Sequence, residues 1–213
     1  EENRSRWMSD YFERIHGHIG DENYEKAKYE LEMGNNNYFR GGRTYEAALL
    51  YQLYGQFYAV QSQYTDAVPW FEKALATDKM PRIGAQEVRF QLAQTYFMIG
   101  KYENVISLLE EFIKIGERYK YPVSARVNLL MSYSHGRIEQ YDSSYYHIKQ
   151  ANNKSDKPQI DWIEYAFSLA MKLENLDDAE DLGTRLLFLE PNKKKYWNQV
   201  SALYFAKDFE LNS

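Results

Sequence analysis

The sequence predicts an all-α protein made of successive helix pairs, and three observations carry this. Apolar residues recur at three- and four-residue spacing, the mark of one buried helical face, with no sustained period-two alternation. An aromatic slot recurs at Tyr58, Tyr96, Tyr133 and Tyr204, with further slots at His18 and Ala170, so that the steps are 40, 38, 37, 37 and 34 residues. A second series runs beside it: Gly55, Ala93 and Phe167 precede Ala67, Val105 and Ala179 by twelve residues each, with a short polar break inside each pair. Pro81, Pro122, Pro158 and Pro191 then fall where successive units must end, because proline cannot continue a helix.

Taken in order, residues 5–41 form a degenerate first unit, in which Asn23-Tyr24-Glu25-Lys26-Ala27 starts the second helix. Asn35-Asn36-Asn37 through Gly41-Gly42 reads as a surface loop. In residues 48–81, Ala48, Tyr51, Leu53, Tyr54, Phe57 and Tyr58 make the first stripe. Thr65 is placed to cap a second helix striped by Ala67, Val68, Phe71, Ala74 and Leu75, and Pro69 falls near its first turn. Residues 86–119 repeat the pattern with Val88, Leu92, Tyr96, then Val105, Ile106, Leu109 and Phe112. Residues 121–157 are the weakest unit, because Tyr141-Asp142-Ser143-Ser144 is a poor small-residue signature. Residues 160–193 keep Ala179, Leu186 and Pro191, and 194–207 form a last helix that caps the array.

These residues resemble the tetratricopeptide repeat, a helix–turn–helix unit of about 34 residues. The best match is Tyr51, Tyr54-Gly55, Tyr58, Ala67, Phe71, Ala74 and Pro81. Small residues let paired helices approach, and the aromatic rings fill the space beside them. The resemblance implies a right-handed α-solenoid of about five repeats plus the capping helix, in one domain spanning 1–213. Phe167, where a small residue is usual, implies a wider crossing in the last full repeat. Repeat packing also accounts for much of the 20-tyrosine content.

Composition narrows the chemistry. With 26 basic and 31 acidic side chains in 213 residues, the net charge of −5 argues against nucleic-acid binding through bulk charge. Zero cysteines exclude thiol catalysis, thiolate metal sites and disulfides. No apolar run approaches the ~20 residues that span a bilayer. The chain opens Glu1-Glu2-Asn3-Arg4, which reads as a processed or trimmed product. Phosphate-loop, dinucleotide and nucleophile-elbow motifs are absent, and Gly41-Gly42-Arg43 is a lone glycine pair. His16 and His18 stand two apart on opposed helix faces, and His135 and His147 stand singly, so neither a metal nor another cofactor is expected. Glu110-Glu111, Asp177-Asp178 and Glu180-Asp181 read as a solvated face, and Lys193-Lys194-Lys195 opens the last helix. Asn3-Arg4-Ser5 and Asn153-Lys154-Ser155 match the glycosylation sequon, a common chance pattern. An enzyme is not expected.

The first helix of each pair in such an array lines its inner wall. Groove positions are therefore expected at Gln52, Gln56 and Ala59, at Phe90, Gln94 and Phe97, at Val127 and Met131, and at Glu164, Ser168 and Asn198. Phe90, Phe97 and Met131 are candidates for an apolar anchor that accepts a helix or extended segment of a protein partner. Some tetratricopeptide domains hold a terminal carboxylate with Lys and Asn at such slots. The slots Gln52/Gln56, Phe90/Gln94 and Val127/Met131 carry no basic residue, which disfavours that mode.

A narrower resemblance runs through Gln91-Leu92-Ala93-Gln94-Thr95-Tyr96-Phe97 and the ending Pro191-Asn192-Lys193-Lys194-Lys195-Tyr196-Trp197-Asn198-Gln199-Val200-Ser201. It is similar to the periplasmic tetratricopeptide proteins associated with TonB, ExbB and ExbD in gammaproteobacteria. That resemblance implies a periplasmic adaptor linked to TonB-dependent transport, with TonB, ExbB or ExbD as partner, and names no catalytic residue. The alternatives are a cell-wall or lipoprotein-assembly helper working through outer faces, and a regulatory domain of a larger protein.

Overall fold

A computed structural model describes residues 2–38, 44–157 and 159–211, and every regular element among them is helical. Two compact units divide the chain, at residues 1–114 and 115–213. The first contains α1 (Glu2–Gly20), α2 (Tyr24–Met33), α3 (Tyr45–Val60), α4 (Tyr64–Ala76), α5 (Arg82–Met98) and most of α6 (Tyr102–Tyr119). The second contains α7 (Ala125–Arg137), α8 (Tyr141–Asn153), α9 (Ile160–Lys172), α10 (Leu176–Leu189) and α11 (Lys194–Leu211).

One device turns the chain between the two helices of every pair. Glu22, Ser62, Gly100, Glu139 and Glu174 all have left-handed backbones, with φ of 57°, 60°, 76°, 61° and 56°. At each turn the next amide reaches back to a carbonyl five residues earlier: Asn23 to His18, Gln63 to Tyr58, Lys101 to Tyr96, Gln140 to His135 and Asn175 to Ala170, at 2.8–2.9 Å. This is the Schellman closure, which satisfies carbonyls that a helix end would otherwise leave bare. Only Gly100 is the residue type that this conformation favours; the other four turns are made by Ser or Glu.

The turns also correct the repeat register. The fourth slot is His135 rather than Tyr133, so the small pair of that unit is Ser132 and Ser144, both with no exposed surface. Ser132 Oγ donates to the Ser144 carbonyl at 2.7 Å, and Ser144 Oγ donates to the Ser132 carbonyl at 2.8 Å. Two serines thereby do what Gly55 and Ala67 do in α3 and α4, because each hydroxyl is satisfied by the opposite backbone.

The first unit is packed around Tyr11, Ile15, Ala27, Leu31, Leu50 and Phe57. The α3/α4 pair is close: Tyr54 stacks on Trp70 with centroids 4.0 Å apart, and Phe71 is 1 % exposed against Gly55. Tyr96 Oη donates to Glu72 Oε1 at 2.5 Å, tying α5 to α4. Burial first and this bond second push its phenol up to about 12. Thr44 Oγ1, not Thr65, provides a cap, accepting from the Ala47 amide at 3.2 Å; Thr65 is already the second residue of α4, and Pro69 lies inside that helix. Asn35–Asn37 continue α2 as a π-helical turn, while Gly41, Gly42 and Pro158 lie outside the described residues.

The second unit has its core at Ile148, Ile163, Ala166, Phe167, Leu186 and Leu203. Gly183 supplies the room that Phe167 removes, since a Cβ on Gly183 would lie 2.7 Å from Val200 Cγ2 and 3.1 Å from Phe167 Cε2. Asp177, Asp178 and Glu180, expected to be solvated, make interhelical ties. Asp178 accepts from Tyr145 Oη and from Lys149 Nζ, both at 2.7 Å, joining α10 to α8. Lys207 of α11 contacts Asp177 Oδ1 and Glu180 Oε2 at 2.8 and 2.5 Å. Because Lys149 and Tyr145 bond to the ionised form, Asp178 is held below the usual carboxylate range.

Candidate functional site: a groove in the first unit

A cavity of about 640 Å³ opens in the first unit among the first helices of its three pairs. Phe12, Glu13, His16 and Gly17 come from α1, Leu49, Gln52, Leu53 and Gln56 from α3, and Glu87 and Gln91 from α5. Its size suits a few residues of an extended chain or a small molecule. The apolar contribution is Phe12, Leu49 and Leu53, of which Leu53 is 7 % exposed. Above these, Gln52 Nε2 donates to Gln91 Oε1 at 3.2 Å, linking α3 to α5. Each amide keeps a free end: the Gln52 oxygen accepts, and the Gln91 nitrogen donates. A peptide backbone presents the same alternation of donor and acceptor.

The charged side chains lining this cavity are acidic, and neither Lys nor Arg is among them. The neighbouring cations are engaged elsewhere. Arg14 Nε lies 2.9 Å from Glu30 on α2, and Arg89 Nη2 lies 3.0 Å from Glu111 on α6. Glu13 and Glu87 are both exposed, and Glu13 accepts from Ser9 Oγ at 3.4 Å.

Of the residues expected to line a groove, Gln52 and Gln56 line this cavity. Phe90 and Phe97 turn instead toward α6, where Phe90 faces Phe112 with centroids 6.5 Å apart and Phe97 meets Tyr102 edge-on at 5.4 Å. The reason is geometric. On α5 it is Glu87 and Gln91 that line the cavity, with Gln91 reaching Gln52 of α3, while Phe90 and Phe97 leave the helix on the side that meets α6. Gln94 is exposed and Ala59 half-buried, both outside the lining. In the second unit, Val127 and Met131 are each 2 % exposed, which removes them as contact residues. Glu164 is half-buried on α9 and is taken by Lys195 of α11, whose Nζ lies 2.9 Å away. Lys195 and Tyr196 together hold the Glu164 carboxyl low. Ser168 and Asn198 are exposed.

Phe12, Glu13, His16, Glu87 and Gln91 were missed by sequence reasoning. The 40-residue step from His18 to Tyr58 carries Gln52 and Gln56 back onto Phe12 and His16, so part of the α1 wall was legible in the spacing.

His135 and His147 are not isolated. Their rings stack with centroids 5.5 Å apart and planes 6° apart across α7 and α8. His135 Nδ1 contacts Gln140 Oε1 at 2.7 Å, and His147 Nδ1 lies 3.4 Å from Asn128 Oδ1. Burial first, then His135 and Lys154, lower the His147 pKa to about 4. Among the described residues no cluster of three or more His, Asp or Glu side chains has the arrangement to hold a metal ion, and no described helix is long and apolar enough to cross a membrane.

No family model matches the sequence, and no curated protein matches it either. Solved structures do. MamA from Desulfovibrio magneticus RS-1, residue 41 to its end, superposes with a TM-score of 0.67 at 16 % identity, over 88 % of this chain and 97 % of that one. YrrB, a tetratricopeptide protein described as having an unusual peptide-binding site, superposes at 0.68 and 14 % identity, over 88 % and 89 %. A multidomain signal-transduction ATPase with a tetratricopeptide sensor, from Pyrococcus horikoshii, reaches 0.75 at 17 % identity, over 94 % of this chain and 33 % of its own. At these identities the likeness speaks for architecture alone, and together with the five closed helix pairs it establishes that this chain has the tetratricopeptide-repeat fold.

Proposed function

We propose that this protein is a non-enzymatic interaction scaffold that holds an extended segment of a partner protein in the groove of its first unit. The observation that carries the reading is the Gln52–Gln91 amide pair beside the apolar lining, which leaves one donor and one acceptor free for a peptide backbone. The peptide-binding site of YrrB, on the same fold, supports it by analogy. The narrower reading places the protein in the periplasm as an adaptor for TonB, ExbB or ExbD. Its support is the resemblance of the ending at Tyr196-Trp197-Asn198-Gln199-Val200-Ser201 to periplasmic tetratricopeptide proteins.

Soluble segments of TonB, ExbB and ExbD, each titrated into the fluorescently labelled chain, test both levels. Saturable binding by one of them, lost in Gln52→Ala/Gln91→Ala, supports the adaptor and its groove. Binding that survives the double substitution removes the groove from the reading, and failure of all three removes the TonB link. A helper that works through outer faces is the second reading, favoured by Phe188, Trp197 and Phe205, which are 83, 53 and 77 % exposed in the second unit. It predicts binding lost in Phe188→Ser/Trp197→Ser instead.

A further inference from the structure

We infer that the segment held in the first-unit groove is cationic: an extended stretch carrying Lys or Arg side chains that seat between Glu13 and Glu87. This rests on the groove reading above and adds the chemistry of the occupant. The two carboxylates stand on different walls, Glu13 on α1 and Glu87 on α5, and the Gln52–Gln91 pair lines the same groove. Among the described residues neither has an ion-pair partner, and the basic residues nearest them in sequence, Arg14 and Arg89, are drawn to the second helices of their pairs by Glu30 and Glu111. Among the described residues, no Lys or Arg lines the groove, and the two acids do. An incoming ammonium or guanidinium meets two carboxylates, with no Lys or Arg among the lining residues to repel it. An anionic segment or a nucleic-acid phosphate meets two uncompensated negative charges. Leu49, Leu53 and Phe12 accept the aliphatic stems that Lys and Arg carry below their charged heads.

The test is fluorescence anisotropy of the full chain with three labelled nine-residue peptides that alternate Ala with Lys, Gln or Glu. The Lys peptide is expected to bind about tenfold tighter than the Gln peptide at low salt, with the advantage shrinking by about 150 mM, where charges are screened beyond ~8 Å. Glu13→Gln/Glu87→Gln is expected to abolish that advantage, bringing the Lys peptide down to the affinity of the Gln peptide for the same variant. Both side chains are exposed, so circular dichroism melts should match those of the parent. Asp66→Asn, an exposed neutralisation on α4 away from the groove, should have no effect. Equal binding of the Lys and Gln peptides, with both sensitive to Gln52→Ala, overturns the cationic occupant and leaves the groove standing. An equal loss in Asp66→Asn overturns it in favour of bulk charge. Binding insensitive to Gln52→Ala, or absent for all three peptides, overturns the groove itself.

Discussion

Gly55→Ala is the sharpest probe of the repeat packing. A Cβ built on Gly55 lies 2.6 Å from Phe71 Cδ1, 2.6 Å from Cε1 and 2.8 Å from Cγ. Carbon atoms in contact prefer about 3.5–4 Å, so the methyl group needs roughly 1 Å that the α3/α4 pair does not have. Phe71 is 1 % exposed, and swinging its ring away would force neighbours to move as well. Overpacking of this kind costs about 1–3 kcal/mol, against which replacing a helical glycine returns up to ~1 kcal/mol. The net expectation is a loss of about 1–2 kcal/mol, or ~4 °C or more in Tm for a unit of this size. Gly84→Ala supplies the internal control, since Gly84 lies in α5 with nothing within 4 Å of its Cβ position. It should stabilise by about 0.5–1 kcal/mol. Urea unfolding read by circular dichroism and by tryptophan fluorescence, to which Trp70 contributes from its stack on Tyr54, measures both variants. If Gly55→Ala stabilises as Gly84→Ala does, the close approach of α3 and α4 is wrong, and the repeat register falls with it. Phe71→Leu should relieve part of the cost in the Gly55→Ala background and only destabilise in the parent.

Three further outcomes follow from the geometry. At the left-handed turns, Glu174→Gly should raise stability by about 0.5–1 kcal/mol and Gly100→Ala lower it by about 1 kcal/mol, measured by urea midpoint; equal signs would refute the turn assignment. His147 is proton-free in the folded chain down to about pH 4, whereas the unfolded chain takes up that proton near the ordinary value of 6.5. Its contribution is therefore complete above pH 6.5 and is lost as pH falls toward 4, by up to ~3 kcal/mol. The urea midpoint of His147→Gln should be flatter over that window than the parent's, and an unchanged slope counts against the stacked pair. Asp178→Asn should cost about 1 kcal/mol by removing the tie to Lys149 and weakening that to Tyr145. Hydrogen exchange should show the loosening at α8 and α10, and unaltered protection there would dismiss the tie.

Helix pairs were legible because their signal is local. Apolar spacing, proline stops and the twelve-residue Gly55–Ala67 interval all sit within one stretch of chain, where the 3.6-residue period places them on one face. Serines 132 and 144 were opaque for the opposite reason: a buried serine is tolerated only when a specific backbone carbonyl answers it, and that carbonyl comes from the other helix. His135 and His147 stack only because α7 and α8 pair, and Glu164 is consumed only because α11 brings Lys195 to it.

The groove divides along the same line. The first helices of the pairs and the slots of Gln52 and Gln56 were determined by the sequence alone, since which face of a helix is apolar depends on that helix. Which flank of α5 lines the cavity, and therefore why Glu87 and Gln91 replace Phe90 and Phe97, was decided by tertiary structure. So was the removal of Arg14 and Arg89 by Glu30 and Glu111, which leaves the groove acidic. Periodicity reports the direction a side chain leaves its own helix; what it meets there depends on a neighbour that packing, not spacing, supplies.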